Sequence, residues 1–352
     1  MTTRPAPAPA TQSRIAFLDA IRGVAASLVV VQHALESQSS GFKTWSYEYV
    51  NLGRVGVVAF FLVSGYVIPL SLEKQSAGTF LWRRFFRLFP VYWVTLALFL
   101  LVAAGTPEFP ALTVTGVGLN LLMVQGLVGG PYFLSPSWTL GIELFFYGQQ
   151  LAAMLLGKLD RSVRLGWFWL ACFLVFGAQT TFTGHRAPLA LPLLLATASL
   201  GHAIYLRDRR SGGAARWLTV GIVIAVPVGS FMGVRPAADD WRPMGYALSY
   251  LVGLALFGGF YALRNFRLPW ALTWLGAVSY AAYLAHPAVA VVINRLHHRQ
   301  DWSVVVMNLV TVPIIAWLIH RYVELPCISY GRQVTARRRP VARESNRRFE
   351  RR

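Results

Sequence analysis

Acid and cysteine are the scarce residues in this chain. Against 33 Lys and Arg stand 14 Asp and Glu, and there are two cysteines, Cys172 and Cys327. Two thiols so far apart give neither a disulfide framework nor the ligand spacing of a metal site, and buried apolar thiols are the plain reading. Charge of either sign is sparse, at 13% of 352 residues, about half the share of an ordinary soluble domain. Strand-length alternation is missing as well, which disfavours a β-barrel. No repeat period is visible, so an inverted-repeat transporter is not indicated. The first 13 residues (MTTRPAPAPATQS) lack the apolar core of a cleaved signal peptide, and a disordered leader is expected over 1–13.

What is present is hydrophobic: 55% of the residues, with a mean hydropathy of +0.49. The expected fold is all-α, a polytopic transmembrane bundle of about ten spans. These read at about 16–36, 55–72, 88–105, 138–157, 165–182, 188–206, 217–233, 243–263, 271–294 and 303–322. Residues 111–128 are apolar but rich in Gly and Thr, so they could cross, lie in the interface or re-enter. Charge decides between these. With ten spans and both termini cytoplasmic, 25 Lys and Arg fall on the inner side and 7 on the outer side, whereas a crossing at 111–128 reverses the bias. The net charge of +19 thus reflects loop placement and not nucleic-acid binding, for which aromatic and glycine-rich motifs are missing. Residues 14–330 form the expected membrane domain, and 331–352 a basic, disordered cytoplasmic tail beside anionic lipid.

The stretch Arg14 to Glu36 carries ionisable groups inside an apolar span, each costing roughly 2.5–3.5 kcal/mol on insertion scales, and such groups mark function by default. Asp19 and Arg22 are three residues apart on one helix face and form a natural pair. Arg22 and His33 are eleven residues apart, about 1100° of rotation, so they share that face at about 16 Å separation. A neutral imidazole suits removal of a hydroxyl proton, although polar side chains also serve simply to join helices.

Four further motifs follow. Phe60-Phe61-Leu62-Val63-Ser64-Gly65 puts small residues inside a span, which close helix approach alone would explain. In Trp82-Arg83-Arg84-Phe85-Phe86-Arg87, Arg84 and Arg87 share a helix face and their guanidinium forks fit phosphate, though any basic cluster also anchors the inner end of a span. Trp138-Thr139-Leu140-Gly141-Ile142-Glu143-Leu144-Phe145-Phe146-Tyr147 sets Glu143 and Tyr147 one turn apart, Glu143 being the sole acid of the fourth span. Leu275-Gly276-Ala277-Val278-Ser279-Tyr280-Ala281-Ala282-Tyr283-Leu284-Ala285-His286-Pro287 ends on an intramembrane histidine that could bind a ligand or cap a disturbed helix. His185, His202, His297, His298 and His320 fall in or beside loops and are expected to be solvated or interfacial.

In this order the motifs resemble the membrane-bound acyltransferase-3 family: a basic residue, ten others and a histidine (Arg22 to His33), then FFxxSG, RxxR, W-S-L-x-x-E-x-x-F-Y and LGxxSYxxYLxH. One departure stands out, since the family's acid two places before the first Phe is here Val58. The resemblance implies an integral-membrane O-acyltransferase, in a bacterial-type cytoplasmic (inner) membrane, moving an acyl group, acetyl by preference, from acyl-coenzyme A to a carbohydrate-type hydroxyl or glycolipid. No permanently bound cofactor and no metal are implied. His33 would be the base, with Glu143 assisting; Arg84 and Arg87 would hold donor phosphates, and Asp19–Arg22 would position the helix or donor. Ser64, Trp138, Tyr147, Tyr283 and His286 would complete the donor and acceptor sites. Counting residues from the inner end of each span puts His33, Glu143 and His286 together about 20–25 Å up, near the outer face, with the arginines near the inner side. The competing class is a proton- or ion-coupled transporter using the same buried charges.

Overall fold

The computed structural model describes residues 10–210, 212–235, 241–297 and 301–337. Thirteen α-helices follow one another, and no strand occurs among the described residues: α1 (Ala10–Gln38), α2 (Ser40–Glu48), α3 (Leu52–Leu72), α4 (Ala77–Ala103), α5 (Val114–Leu121), α6 (Trp138–Leu155), α7 (Leu165–Thr183), α8 (Ala190–Arg210), α9 (Ala214–Gly233), α10 (Pro243–Ala262), α11 (Trp270–Leu296), α12 (Trp302–Ile319) and α13 (Leu325–Arg337). Side-chain caps start several of them. Asn51 accepts from the Arg54 amide at the head of α3, Ser76 from Thr79 at α4, and Asp301 from Ser303 at α12.

Among the described residues nine helical stretches are long and apolar enough to cross a membrane, not ten. The difference is α6, expected as the fourth span. It has 18 residues, and Glu143, Gln149 and Gln150 dilute its apolar character. Residues 111–128 do not cross. They form α5 and a single 3₁₀ turn, Gln125–Leu127, both far too short to span. Buried Asn120 folds this segment back on itself: its amide donates to the Gly116 and Pro131 carbonyls, and its carbonyl accepts from the Phe133 amide. Val114, Leu122 and Val128 remain exposed, at 93%, 61% and 64%.

Helices α1, α3, α8 and α11 make the interior. Along α1 the residues Phe17, Ile21, Ala25 and Val29, at four-residue spacing, are buried. Bulky apolar side chains on α7, α9 and α12, among them Phe182, Ile224 and Val310, face outward as lipid-facing residues do. Where interior helices meet, the contacts are glycines. A Cβ on Gly276 of α11 would run into the Asp19 carbonyl of α1, one on Gly65 of α3 into the Ala198 carbonyl of α8, and one on Gly201 into that of Leu62. Lipid offers no hydrophobic drive for helix association, so backbone approach of this kind carries the packing.

The expected leader and tail shorten. Helix α1 begins at Ala10, and residues 1–9 lie outside the described residues. At the other end a π-helical turn, His320–Glu324, joins α12 to α13, which runs to Arg337 because it has a seat on α4. Gly331 rests on Phe86, the Tyr330 ring meets Phe86 edge-on, and Arg83 donates to Thr335. The remainder of the basic tail, 338–352, lies outside the described residues. His202 corrects the loop assignment. It is fully buried in α8, 3.3 Å from the Ser162 hydroxyl, because α8 is an interior helix along its length. His185 is exposed, while His320 is half-buried against Glu324. His298 lies outside the described residues.

Substituting Gly201 by Val should separate α3 from α8 and cost about 1–3 kcal/mol, read as a melting temperature several degrees lower in detergent. Gly258, with nothing within 4 Å of its would-be Cβ, should accept Ala with no loss, or a gain of up to about 1 kcal/mol.

Candidate active site

Five helices, α1, α3, α4, α6 and α11, enclose a cavity of about 280 Å³. Its apolar wall comes from side chains such as Phe60, Phe61 and Leu140. Set into that wall are Asp19 and Arg22, Arg84 and Arg87, Glu143, and the hydroxyls of Ser64, Tyr147 and Tyr283. Eight positions singled out in the sequence therefore line one chamber.

Glu143 is its organising acid. One carboxylate oxygen accepts from the Ser64 hydroxyl at 2.9 Å and also from the Tyr147 hydroxyl, one turn along α6. Arg84 stacks its guanidinium on the Phe80 and Tyr147 rings, at 5.3 and 5.4 Å, and donates to Ser71 at 3.0 Å. Arg22 pairs loosely with Asp19, at 3.8 Å, and Arg87, Glu143 and Glu324 are the other charges that act on it. The chamber holds three cations against two carboxylates, an excess of positive charge suited to an anionic ligand.

The histidines lie elsewhere. The His33 and His286 rings stack in parallel, with centroids 5.2 Å apart and planes 10° from coplanar, and neither lines the cavity. His33 is half-exposed and its Nδ1 lies 3.0 Å from a Glu36 carboxylate oxygen. His286 is buried, with Nδ1 2.9 Å from the Tyr283 carbonyl. That bond has a cause in the next residue. Pro287 has no amide hydrogen to give the carbonyl four residues back, and the imidazole takes the vacant acceptor. Both rings therefore present Nδ1 to an acceptor oxygen, a carboxylate for His33 and a main-chain carbonyl for His286.

A hydroxyl pair, a short bridge between α6 and α11, lies in the chamber wall nearest His286 in sequence. The Thr139 and Tyr283 hydroxyls are 2.8 Å apart and both contact the Pro136 carbonyl. The two residues line the cavity, and the Tyr283 ring centroid is 6.3 Å from that of His286. Glu143, expected beside His33 and His286, sits instead with the arginines. It lies five residues into α6 yet meets Ser64, twelve residues into α3, so α6 enters the bundle about 10 Å deeper. The turn before it packs over its head, with the Met123 carbonyl against Gly141. Trp138 also lies outside the chamber, its ring 5.3 Å from the guanidinium of Arg54.

Sequence reading passed over Glu36, although its place three residues after His33 was a visible signal for a pair on one helix face. It also passed over Thr139 and Tyr280, both inside quoted motifs and both lining the chamber. Val58, where an acid was expected, is fully buried with its side chain against Gly253 of α10.

A charged chamber inside a bundle of apolar helices, nine stretches of which among the described residues are long enough to span, fits a multi-pass membrane protein. Residues 15–321 match the acyltransferase domain family, and the chain belongs to that acyltransferase-3 family. It is similar to acyltransferase MdmB of Streptomyces mycarofaciens, 26% identical over 380 aligned positions that cover 94% of each chain. It is also similar to protein 2 in the picA locus of Rhizobium radiobacter, 33% identical over 156 positions, covering 37% of this chain and 78% of that protein. No solved structure matches.

Glu143→Ala should leave the Ser64 and Tyr147 hydroxyls without their shared acceptor and cost about 1–3 kcal/mol in thermal unfolding. Glu143→Gln, which keeps a carbonyl at that position, should cost less.

Proposed function

We propose that this protein is an integral-membrane O-acyltransferase that moves an acyl group, acetyl by preference, from acyl-coenzyme A to a hydroxyl of a carbohydrate-type acceptor. The observation that carries the reading is three arginines set in a 280 Å³ apolar chamber whose wall includes Tyr283, three residues before the His286 that stacks on His33. In this reading both termini are cytoplasmic and the chamber opens toward the cytoplasm. Arg84 and Arg87, with Arg22, hold the donor's phosphates, and its long flexible arm carries the thioester past Glu143 toward Tyr283.

Chemistry then falls to His33. Its Nδ1–H is oriented by Glu36, and Nε2 takes the proton of the acceptor hydroxyl as that oxygen attacks the thioester carbonyl. The tetrahedral adduct collapses, the C–S bond breaks, and the departing thiolate recovers the proton from the imidazolium. His286 holds the His33 ring by stacking. Glu143 is a positioning residue, balancing the arginines and tying Ser64 and Tyr147. A second reading, an acyl-enzyme on Ser64, draws on the Ser64–Glu143 hydrogen bond; Ser64→Ala separates the two, abolishing transfer only on the covalent route.

The test is release of free thiol from acetyl-coenzyme A by membranes holding the protein and their own glycans. His33→Ala should insert normally and fall by about 10²–10⁴-fold, the usual share of general-base catalysis. Unchanged release would remove His33 as the base. Arg87→Gln should raise KM for acetyl-coenzyme A by about tenfold with little change in kcat, because loss of one charge-assisted phosphate contact is chiefly a loss of binding. Solute flux without thiol release would favour the transporter.

A further inference from the structure

Arg54, in the first turn of α3, lies outside the chamber in a box of aromatic rings. Its guanidinium carbon is 4.6 Å from the ring centroid of Trp241, 4.8 Å from that of Tyr246, 5.3 Å from that of Trp138 and 5.9 Å from that of Tyr250. Nη1 and the phenol oxygens of Tyr246 and Tyr250 are buried and form no hydrogen bond of good geometry, the Tyr250 phenol lying close enough to the guanidinium to act on it. No carboxylate among the described residues pairs with it. One helical turn further on, at the position where an ion-pair partner on the same face would stand, is the buried side chain of Val58.

Ring faces attract a cation, but they do not accept the in-plane N–H bonds of a guanidinium. A cation held in low dielectric with donors unspent is costly, and the group that best relieves it is a planar or tetrahedral oxyanion meeting the fork. Arg54 as a whole is only partly buried, and its exposed side is where such a group would approach. The box also adjoins the histidine pair by two routes. The Arg54 amide is capped by Asn51, whose side-chain amide lies 3.5 Å from the Glu36 carboxylate that orients His33. Trp138, one wall of the box, precedes Thr139 of the hydroxyl bridge.

We propose that Arg54 binds a carboxylate or phosphate carried by the acceptor, placing the neighbouring hydroxyl at His33, with Trp138 and Trp241 as the walls against which the sugar ring lies. The acceptor class is thereby an anionic carbohydrate, such as a uronic acid or a sugar phosphate. This rests on the acyl-transfer reading. A phospholipid headgroup offers the same anionic chemistry and is the alternative source to exclude.

The test uses the purified full-length protein in neutral detergent, with tryptophan emission as the readout, titrated with glucuronate, glucose 1-phosphate, glucose and glycerol 1-phosphate. Glucuronate and glucose 1-phosphate should change the emission saturably and glucose should not. Arg54→Gln should weaken both anions by about tenfold or more, while Arg54→Lys, which keeps the charge and fills the box, should weaken them less. An Arg54→Gln protein that binds as the wild type does, or a wild type indifferent to both sugar anions, overturns the proposal. Glycerol 1-phosphate binding as tightly as glucose 1-phosphate assigns the site to lipid headgroups and also overturns it. Anion binding is read without acetyl-coenzyme A and should survive His33→Ala. A protein that binds sugar anions but never releases thiol therefore refutes the acyl-transfer reading while leaving the Arg54 anion site standing.

Discussion

Placing three guanidinium groups inside an apolar bundle is possible here because they are spread around a cavity and share it with two carboxylates. Removing such charges from water is expensive, and the cost is tolerable only where partners and hydrogen bonds are arranged in advance. Glu143 meets that condition at the centre, tied to Ser64 on α3 and to Tyr147 on its own helix. The glycine contacts at Gly65, Gly201 and Gly276 belong to the same requirement. They hold α1, α3, α8 and α11 so close that the chamber wall has a defined shape.

Much of this was legible in the residues. Apolar run length yielded the helices, ionisable groups within or at the ends of those runs pointed to Asp19, Arg22, Arg84, Arg87 and Glu143, and the family resemblance added Ser64, Tyr147 and Tyr283, all eight of which line the chamber. Rotation at 100° per residue put Asp19 and Arg22 on one face of α1, and the two side chains do meet there. Depth was the quantity that counting residues could not supply. Summing rise along each helix assumes that all begin at one level, whereas α6 starts beneath the folded-back segment that contains Asn120 and Met123. Glu143 consequently lies lower than the count allows, among the arginines instead of the histidines. The same helix misleads hydropathy, since the polar groups that give it a role are those that make it read poorly as a span.

Two residues escaped for a different reason. Glu36 lies at the edge of its span and reads as an ordinary boundary acid, and its spacing from His33 signals only a shared helix face, not the contact the two side chains make. Arg54 counts in a sequence as one more loop cation. Its significance depends on Trp241, Tyr246 and Tyr250, almost two hundred residues away, converging on it. Pairwise chemistry at long sequence separation is what a single chain conceals.

The bond between His286 and the Tyr283 carbonyl has a consequence of its own. An imino acid at position 287 withholds one amide hydrogen from the helix, and the adjoining imidazole is drawn into the gap. Which nitrogen of that ring carries its proton is thereby dictated by main-chain covalent structure, without any acidic neighbour. Of the two stacked rings, one turns its Nδ1 to a carboxylate, and the other to a main-chain carbonyl. The pair is thus chemically asymmetric despite its near-parallel geometry.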